Sequence, residues 1–338
     1  MLKVKITALL KNDPDCALPK FANHGREIGF HVTEQPAHVI VHLIGGDLHV
    51  QADQGATRLT IAAPDPVMLQ MLRDYVTHQL SLHALSPAWE GHRAEGQPDS
   101  HARCRVKSSV RLSPSYYRVT VVGTDLMRFD EGGLHFRVLT QPEGLTWPVA
   151  DANGVTQWPG GISAWHRPVY TTRALRKGVQ EAELDFDVVI HEGGRMTGWA
   201  SRVRPDTEVV LVGPAGNRVA IPAGWQGFVG DETAVPGIIG QIGAMSEQAR
   251  GQAVLVVPTA ADIQDFDHPS GVEIVWALRD QGQNPLSALE YLDIPDHDRS
   301  VFFVGNGKEA REARELLLQR GLSKKECVTV AYWGKEKH

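Results

Sequence analysis

Residues 167 to 173 read Arg-Pro-Val-Tyr-Thr-Thr-Arg. One short stretch thus holds an aromatic ring, two hydroxyls and two guanidinium groups. The ring of Tyr170 can stack on a flat conjugated heterocycle. A hydroxyl or amide at Thr171 can meet a ring nitrogen and tune hydride and electron transfer there. Thr172 extends the same polar run. Arg167 or Arg173 can grip a pyrophosphate with a planar fork of donors. Together these groups suit a flavin dinucleotide. The same residues also fit an ordinary barrel strand with solvated arginines, so their surroundings must decide.

Three further strings bear on that choice. His191-Glu192-Gly193-Gly194-Arg195-Met196-Thr197-Gly198-Trp199-Ala200 follows a strand and ends where a short helix is expected to begin. Its glycines let backbone approach a ligand, and N–H groups at a helix start favour phosphate. Val212-Gly213-Pro214-Ala215-Gly216 reads as a tight turn after another strand. Gly230-Asp231-Glu232-Thr233-Ala234 then opens a helical stretch. Carboxylates at a helix start repel phosphate. Asp231 and Glu232 therefore suit capping and hydrogen bonds to a ribose or amide. Arg279, just after a strand, can pair with a 2′-phosphate, which favours NADPH over NADH. Gly305-Asn306-Gly307-Lys308-Glu309-Ala310 matches G-x-G-x-x-A. That fingerprint belongs on the first strand of a dinucleotide fold. Here it comes late, so it reads as a strand–helix turn bordering the nicotinamide.

The elements that must position these residues fall into three segments. Residues 1–96 carry short strands at 37–44, 48–52 and 57–62, with a hairpin turn at Gly45-Gly46-Asp47. A helix opens at Pro66 and runs to near Pro87, its apolar face marked by Met68, Leu69, Leu72, Val76, Leu80 and Leu82. Residues 90–100 are polar and glycine-rich, and read as a linker. Residues 101–223 are strand-rich, with strands at 103–110, 116–122, 134–139, 169–173, 182–190 and 208–212, and suggest a closed antiparallel β-barrel. Residues 224–338 alternate strands (227–230, 253–257, 272–278, 300–304, 328–332) with helices (233–249, 285–292, 308–319). That pattern predicts a parallel sheet covered on both faces. The fold class is therefore multi-domain: a small α+β domain, a β-barrel, then an α/β nucleotide-binding domain, in the ferredoxin-reductase-like order.

Composition narrows the function classes. The 338 residues are 42% hydrophobic and 22% charged, as in a soluble globular protein. Net charge is −6, which disfavours nucleic acid as a partner. No apolar run reaches the ~18–20 residues of a membrane span. The first residues lack a long apolar core and a small-residue cleavage site, so no signal peptide is read. The three cysteines, Cys16, Cys104 and Cys327, are far apart; a disulfide framework or iron–sulfur cluster is not expected, and a reducing, cytoplasmic setting is. His24, His31, His38, His42, His49, His78, His83, His92 and His101 crowd the first third. Without a zinc-type spacing they read as surface and satisfied histidines, and no metal site is expected.

The strings Tyr170-Thr171-Thr172-Arg173, Gly194 to Ala200 with its Trp-Ala end, Gly213-Pro214 and Gly230-Asp231-Glu232-Thr233-Ala234, in that order, resemble the siderophore-interacting protein family. Leu112-Ser113-Pro114, Arg118-Val119-Thr120, Trp158-Pro159 and Ala331-Tyr332-Trp333 also fit, so the resemblance covers about 103–335. Residues before 96 are similar to a small module of unknown function sometimes fused ahead of that family. The sequence departs from the family twice. Pro168 stands where an arginine usually precedes the tyrosine by two, with Arg167 one residue earlier. Gly334 and Lys335 follow Trp333 where an arginine is common.

The resemblance implies non-covalent FAD, with Tyr170 and Thr171 lining the flavin as catalytic residues. It implies that the backbone of Thr197, Gly198 and Trp199 holds the pyrophosphate, with His191, Arg195 and Met196 beside it. NADPH or NADH would reduce the flavin, with Gly230, Asp231, Glu232, Thr233, Ala234 and Arg279 around it. The electrons would then reduce Fe(III) of a ferric siderophore, an anionic partner that a basic pocket attracts. Arg137 is the first candidate for that contact and Arg202 the next, with Arg204 behind it. A solvated strand-end arginine is an equal reading of Arg137. Reduced ferredoxin stays open as an alternative donor. A general flavin reductase or diaphorase, and a siderophore-binding protein without turnover, are the competing functions.

Overall fold

The computed structural model describes residues 4–12, 14–91, 95–130, 133–216 and 224–334. Part of the expected linker, the boundary at 223 and Lys335 fall outside these residues. The chain divides into two compact units. One comprises Met1–Arg103, Glu131–Val169 and Val209–Gly216, the other Cys104–Asp130, Tyr170–Glu208 and Asn217–His338.

The first unit opens with β1 (Val4–Leu10), α1 (Pro14–Glu27), β2 (His31–Gln35), β3 (His38–Leu43), β4 (Gly46–Asp53), β5 (Ala56–Ala63), α2 (Pro66–Ser81) and β6 (Ala88–Trp89). These strands make one antiparallel sheet, ordered β2-β3-β4-β5-β1-β6. Alternation turns Val39, Val41, Leu48, Val50, Leu59 and Ile61 into the core with both helices. His38, His42 and His49 alternate with those core residues and therefore occupy the other face. His38 Nε2 lies 3.1 Å from His49 Nδ1, and His42 Nδ1 lies 2.8 Å from Asp47 Oδ1. Among the described residues no group of three or more His, Cys, Asp or Glu is placed to hold a metal ion.

Asp65 caps α2 by accepting from the Met68 amide at 2.8 Å, with Pro66 in the first turn. The helix stops at Ser81, not near Pro87. Leu82, expected on its buried face, is 65% exposed, and Ala84 turns left-handed with φ 57°. With Leu82 left in solvent, a further helical turn would bury no apolar face there.

Residues 101–216 supply β7 (His101–Arg111), β8 (Tyr116–Gly123), β9 (His135–Leu139), β10 (Val149–Ala150), β11 (Thr156–Gln157), β12 (Val169–Thr171), β13 (Ala174–Lys177), β14 (Ala182–Val189), α3 (Arg195–Ala200) and β15 (Glu208–Ala215). In the second unit β7, β8, β14 and β13 pair antiparallel in that order. In the first unit β9 pairs with β15. The turn expected at Val212 to Gly216 is instead a continuation of β15, with a register shift between Val212 and Ala215.

The remaining elements are β16 (Trp225–Gly230), α4 (Val235–Gly243), β17 (Arg250–Val257), β18 (Val272–Leu278), α5 (Pro285–Ala288), β19 (Arg299–Asn306), α6 (Gly307–Gln319) and β20 (Cys327–Trp333). Their five strands are all parallel, ordered β18-β17-β16-β19-β20. Val235, Ile238, Ile239 and Ile242 of α4 bury against one face. Ala288, Ala313 and Leu317 of α5 and α6 cover the other. α4 ends at Gly243 rather than Ala249. Its apolar stripe finishes at Ile242, and the Ala244 amide closes a tighter turn on Gln241. Residues 285–292 split into α5 and a 3-10 turn, Leu289–Tyr291. Asn306 caps α6 reciprocally with Glu309, and Gly321 stops it at φ 83°. No described helix is long and apolar enough to cross a membrane.

Within the first unit α2 is tied to the β10–β11 hairpin by a buried polar cluster. Asp74 Oδ1 accepts from the Thr156 amide at 2.9 Å and Oδ2 from the Thr156 hydroxyl at 2.6 Å. The Gln70 amide donates to Asp74 Oδ1 at 2.9 Å and to the Gly154 carbonyl at 2.8 Å. Burial pushes the Asp74 carboxyl above its ordinary pKa despite these bonds. Asp74→Ala should destabilise the protein by about 1–3 kcal/mol, measured by urea denaturation. A folded-state pKa above the unfolded one adds stability that is whole below the unfolded value and fades as pH rises through the folded one. The loss on Asp74→Ala should therefore be larger near pH 4 than near pH 8.

Candidate functional site

The strand and loop from Tyr170 to Arg173 lie in the second unit. The Tyr170 ring packs 5.1 Å from the Phe186 ring of β14, tilted by 48°, and burial raises its hydroxyl pKa. The Thr171 side chain is 8% exposed and hydrogen-bonded to the Tyr332 hydroxyl of β20, whose pKa burial pushes up to about 12. Thr172 is also buried, and its Oγ1 has no hydrogen-bond partner among the described residues. Arg173 lies past the end of β12. Its amide donates to the Asp185 carbonyl at 2.8 Å, but its buried Nε makes no hydrogen bond.

The charges around Arg173 explain how a cation is held there. Asp187 has a fully buried carboxylate. Arg118 donates to both its oxygens at 2.8 Å, while Arg173 Nε stops 4.0 Å short. Burial, then Arg118, lowers the Arg173 pKa. Asp185 next door is claimed by Arg176, at 2.6 and 2.8 Å, and by Thr120. Burial acts to raise the Asp185 pKa, but these bonds outweigh it and the net shift is downward. Arg173 Nε therefore keeps only a long 4.0 Å ion pair with Asp187 and makes no hydrogen bond, which leaves donor capacity unused. A buried cation so placed, beside an orphaned hydroxyl, fits the polar part of a dinucleotide.

The Gly193 to Ala200 string folds differently from expectation. Its second half is itself α3, so the helix begins at Arg195 rather than after Ala200. No side chain caps it. The Thr197 hydroxyl instead accepts from the His191 amide at 3.2 Å. A Cβ on Gly194 would stand 2.7 Å from both His191 Cε1 and Thr197 Oγ1, so any side chain there would push these two aside. Met196 is buried. Arg195, Trp199, Arg202 and Arg204 line one open cavity of about 390 Å³.

Asp231 is fully buried, and both its oxygens are engaged internally. Oδ1 accepts from the Thr233 amide at 2.9 Å, and Oδ2 from the Trp333 indole at 2.7 Å. Glu232 Oε2 accepts from Arg279 Nε at 3.0 Å and pairs with its Nη2 at 2.9 Å. The Glu232 carbonyl accepts from the Tyr116 hydroxyl at 2.8 Å. Gly230 ends β16, and Ala234 stands at the head of α4. In the first unit, Arg137 is exposed and donates to the Arg167 carbonyl at 2.7 Å. Arg167 stands 5.2 Å over the Trp158 ring. Burial and then Arg137 lower its pKa.

Phe186, Asp187 and the Tyr332 hydroxyl carry site roles that sequence reading did not assign. Three carboxylates in the strand Ala-Glu-Leu-Asp-Phe-Asp-Val-Val were the available signal; two of them, Asp185 and Asp187, are buried, and buried acids need partners.

Comparison with known proteins places this geometry. Residues 105–218 match the siderophore-interacting FAD-binding domain, and residues 223–336 match the siderophore-interacting protein domain. The chain belongs to the siderophore-interacting protein family. Among its relatives, the ferric vibriobactin reductase ViuB of Vibrio cholerae is 33% identical over 67% of this chain and 87% of that protein. The NADPH-dependent ferric-chelate reductase of Escherichia coli is 27% identical over 66% of this chain and 89% of the other. A siderophore utilization protein from T. fusca superposes with a TM-score of 0.61 at 23% identity, covering 73% of this chain and 96% of that one. The fold is ferredoxin-reductase-like, an FAD-binding barrel followed by a nucleotide-binding α/β domain. Residues before 105 lie outside both matched domains.

Replacing Asp187 by Ala strands the Arg118 and Arg173 guanidinium groups. Removing one partner of a buried pair costs about 3–5 kcal/mol. Arg118 is 25% exposed, so about 2–4 kcal/mol is expected in a chemical denaturation experiment.

Proposed function

We propose that this protein is a ferric-siderophore reductase that uses FAD to carry electrons from NADPH or NADH to the iron of a bound chelate. The observation that carries the reading is the pair of buried polar atoms that follow Tyr170 in the chain, Thr172 Oγ1 and Arg173 Nε, which make no hydrogen bond among the described residues. The family and the names of its relatives support the same chemistry. FAD, when bound, takes two electrons as hydride and releases them singly, as Fe(III) requires.

The chain's own residues have distinct tasks in this reading. Tyr170, backed by Phe186, offers a flat apolar surface for the flavin ring. Thr171, fixed by Tyr332, orients a hydroxyl at the ring edge. Arg173 and the Thr197 amide meet the pyrophosphate, with Thr172, His191, Arg195 and Met196 framing it; contrary to the expectation from sequence, the Gly198 amide is taken by the Gly194 carbonyl at 2.9 Å, and Trp199 lies deeper in α3. Arg167, stacked on Trp158, is a second cation for the dinucleotide. Gly230 to Ala234 shape the nicotinamide side. Asp231 does so indirectly, because its carboxylate fastens Thr233 and Trp333. Arg279, pre-aimed by Glu232, meets a 2′-phosphate and favours NADPH. Arg202 offers the anionic siderophore a cation. Reduction loosens the chelate because hard oxygen donors hold Fe(III) far better than Fe(II). The free cysteines suit a cytoplasmic site of release.

The purified protein should be yellow, bleach with NADPH and recover colour on adding a ferric siderophore. A preparation that stays colourless with excess FAD, or that oxidises NADPH regardless of the chelate, would overturn the reading. Running NADH and reduced ferredoxin beside NADPH identifies the donor. Arg173→Ala should weaken FAD retention about 10- to 100-fold, read by absorbance after gel filtration, since a charged hydrogen bond is lost.

A further inference from the structure

The first unit holds an open cavity of about 740 Å³ between its two helices. α1 leans on β2, β3 and β4, whereas α2 leans mainly on β5 and β1. The helices thus part over the middle of the sheet. Val41, Leu43 and Leu48 form the floor of the gap. Phe21 comes from α1, and Tyr75, Val76 and Leu80 from α2. The Phe30 and Tyr75 rings meet edge to face at 6.4 Å. Val41, Leu48, Val76 and Leu80 are buried, whereas Phe21, Phe30, Leu43 and Tyr75 are only partly covered and line the opening. The volume falls in the range of about 300–1,000 Å³ typical of small-molecule sites.

Polar groups gather at one rim. His24 Nε2 lies 3.4 Å from Gln79 Oε1, and the His24 and His83 rings meet edge-on at 5.9 Å. Lys20 and Asn23 flank them. Glu27 is the one carboxylate among the described lining residues, and it sits 4.0 Å from His24 Nδ1. Asn12 also faces the cavity, and its buried Oδ1 lacks a hydrogen-bond partner among the described residues. The rim thus sets Lys20 and the imidazoles of His24 and His83 against a single carboxylate, and the interior is apolar. That asymmetry selects a molecule with a greasy body and an anionic head.

We propose that this cavity binds a small amphipathic carboxylate, its body on the floor between α1 and α2 and its head at His24, His83 and Lys20. Nothing in the flavin chemistry requires such a site. The cavity is built wholly from residues ahead of the two family domains.

The test uses the full-length, FAD-loaded protein and the fluorescent anion 1-anilinonaphthalene-8-sulfonate. One saturable site is expected, displaced by decanoate and at least tenfold less well by decan-1-ol. Ala17, small, buried and lining the cavity, can be replaced by Phe to fill it. Ala17→Phe should abolish the site while FAD absorbance stays unchanged. His24→Ala, at the partly exposed rim, should weaken decanoate at least fivefold and leave decan-1-ol unaffected. That second variant decides the matter should Ala17→Phe fail to fold. Absence of saturable binding, equal displacement by acid and alcohol, or wild-type decanoate binding in His24→Ala would each overturn the proposal.

Discussion

Asp187 stands near the end of β14 with its carboxylate shut away from water. A lone charge there would be very costly. It persists because Arg118 on β8 donates to both oxygens, and because the strand pairing fixes that approach: Asp187 lies directly opposite Arg118 in the β14–β8 register. Arg173 is drawn towards the same carboxylate without reaching it. One buried acid thus fixes two cations and fully pairs only one. The second keeps its donor for something the protein itself does not supply. The neighbouring pair of Asp185 with Arg176 closes without remainder, which confines the surplus to a single guanidinium.

The same economy appears at the α/β end of the second unit. From sequence, Asp231 and Glu232 suit helix capping or hydrogen bonds to a ribose or amide. In the fold, the first spends both oxygens on Thr233 and Trp333, and the second orients Arg279. Their contribution is mechanical: they set the Gly230 to Ala234 turn and fasten β20 across it. An aromatic pair near the C-terminus, Tyr332 and Trp333, therefore holds two ends of one site. Tyr332 engages Thr171, and Trp333 engages Asp231.

Much of this was legible in the sequence where local signals agree. The parallel strands 272–278 and 300–304, the helix near 308–319 and the strand at 182–190 were read within a few residues, because apolar runs, caps and glycine stops coincide. The first strand and helix were not read at all. α1 carries Pro14, Pro19 and Gly25 and few apolar residues, so its own propensity argues against a helix, and packing on β3 and β4 must supply the stability. Extents were missed where tertiary contact ends, as at Ser81 and Gly243. Residue types at the site were visible, but pairing was not: nothing local says that Arg118 takes Asp187 and leaves Arg173 short.

Close approach of α4 fixes the polar run from a further side. A Cβ on Gly237 would lie 3.0 Å from Thr171 Cγ2, and one on Gly240 would lie 2.8 Å from the Thr172 carbonyl oxygen. These two glycines are three residues apart and so share one face of α4. That face lies flush against the backbone and side chains of Thr171 and Thr172. With Phe186 behind Tyr170 and Tyr332 bonded to Thr171, the polar run is braced by β14, β20 and α4 at once. A site held from three elements is preorganised to a tolerance that a single strand could not keep. The helix that covers the nucleotide-type sheet thus also sets the position of the residues read first, at Tyr170 and Thr171.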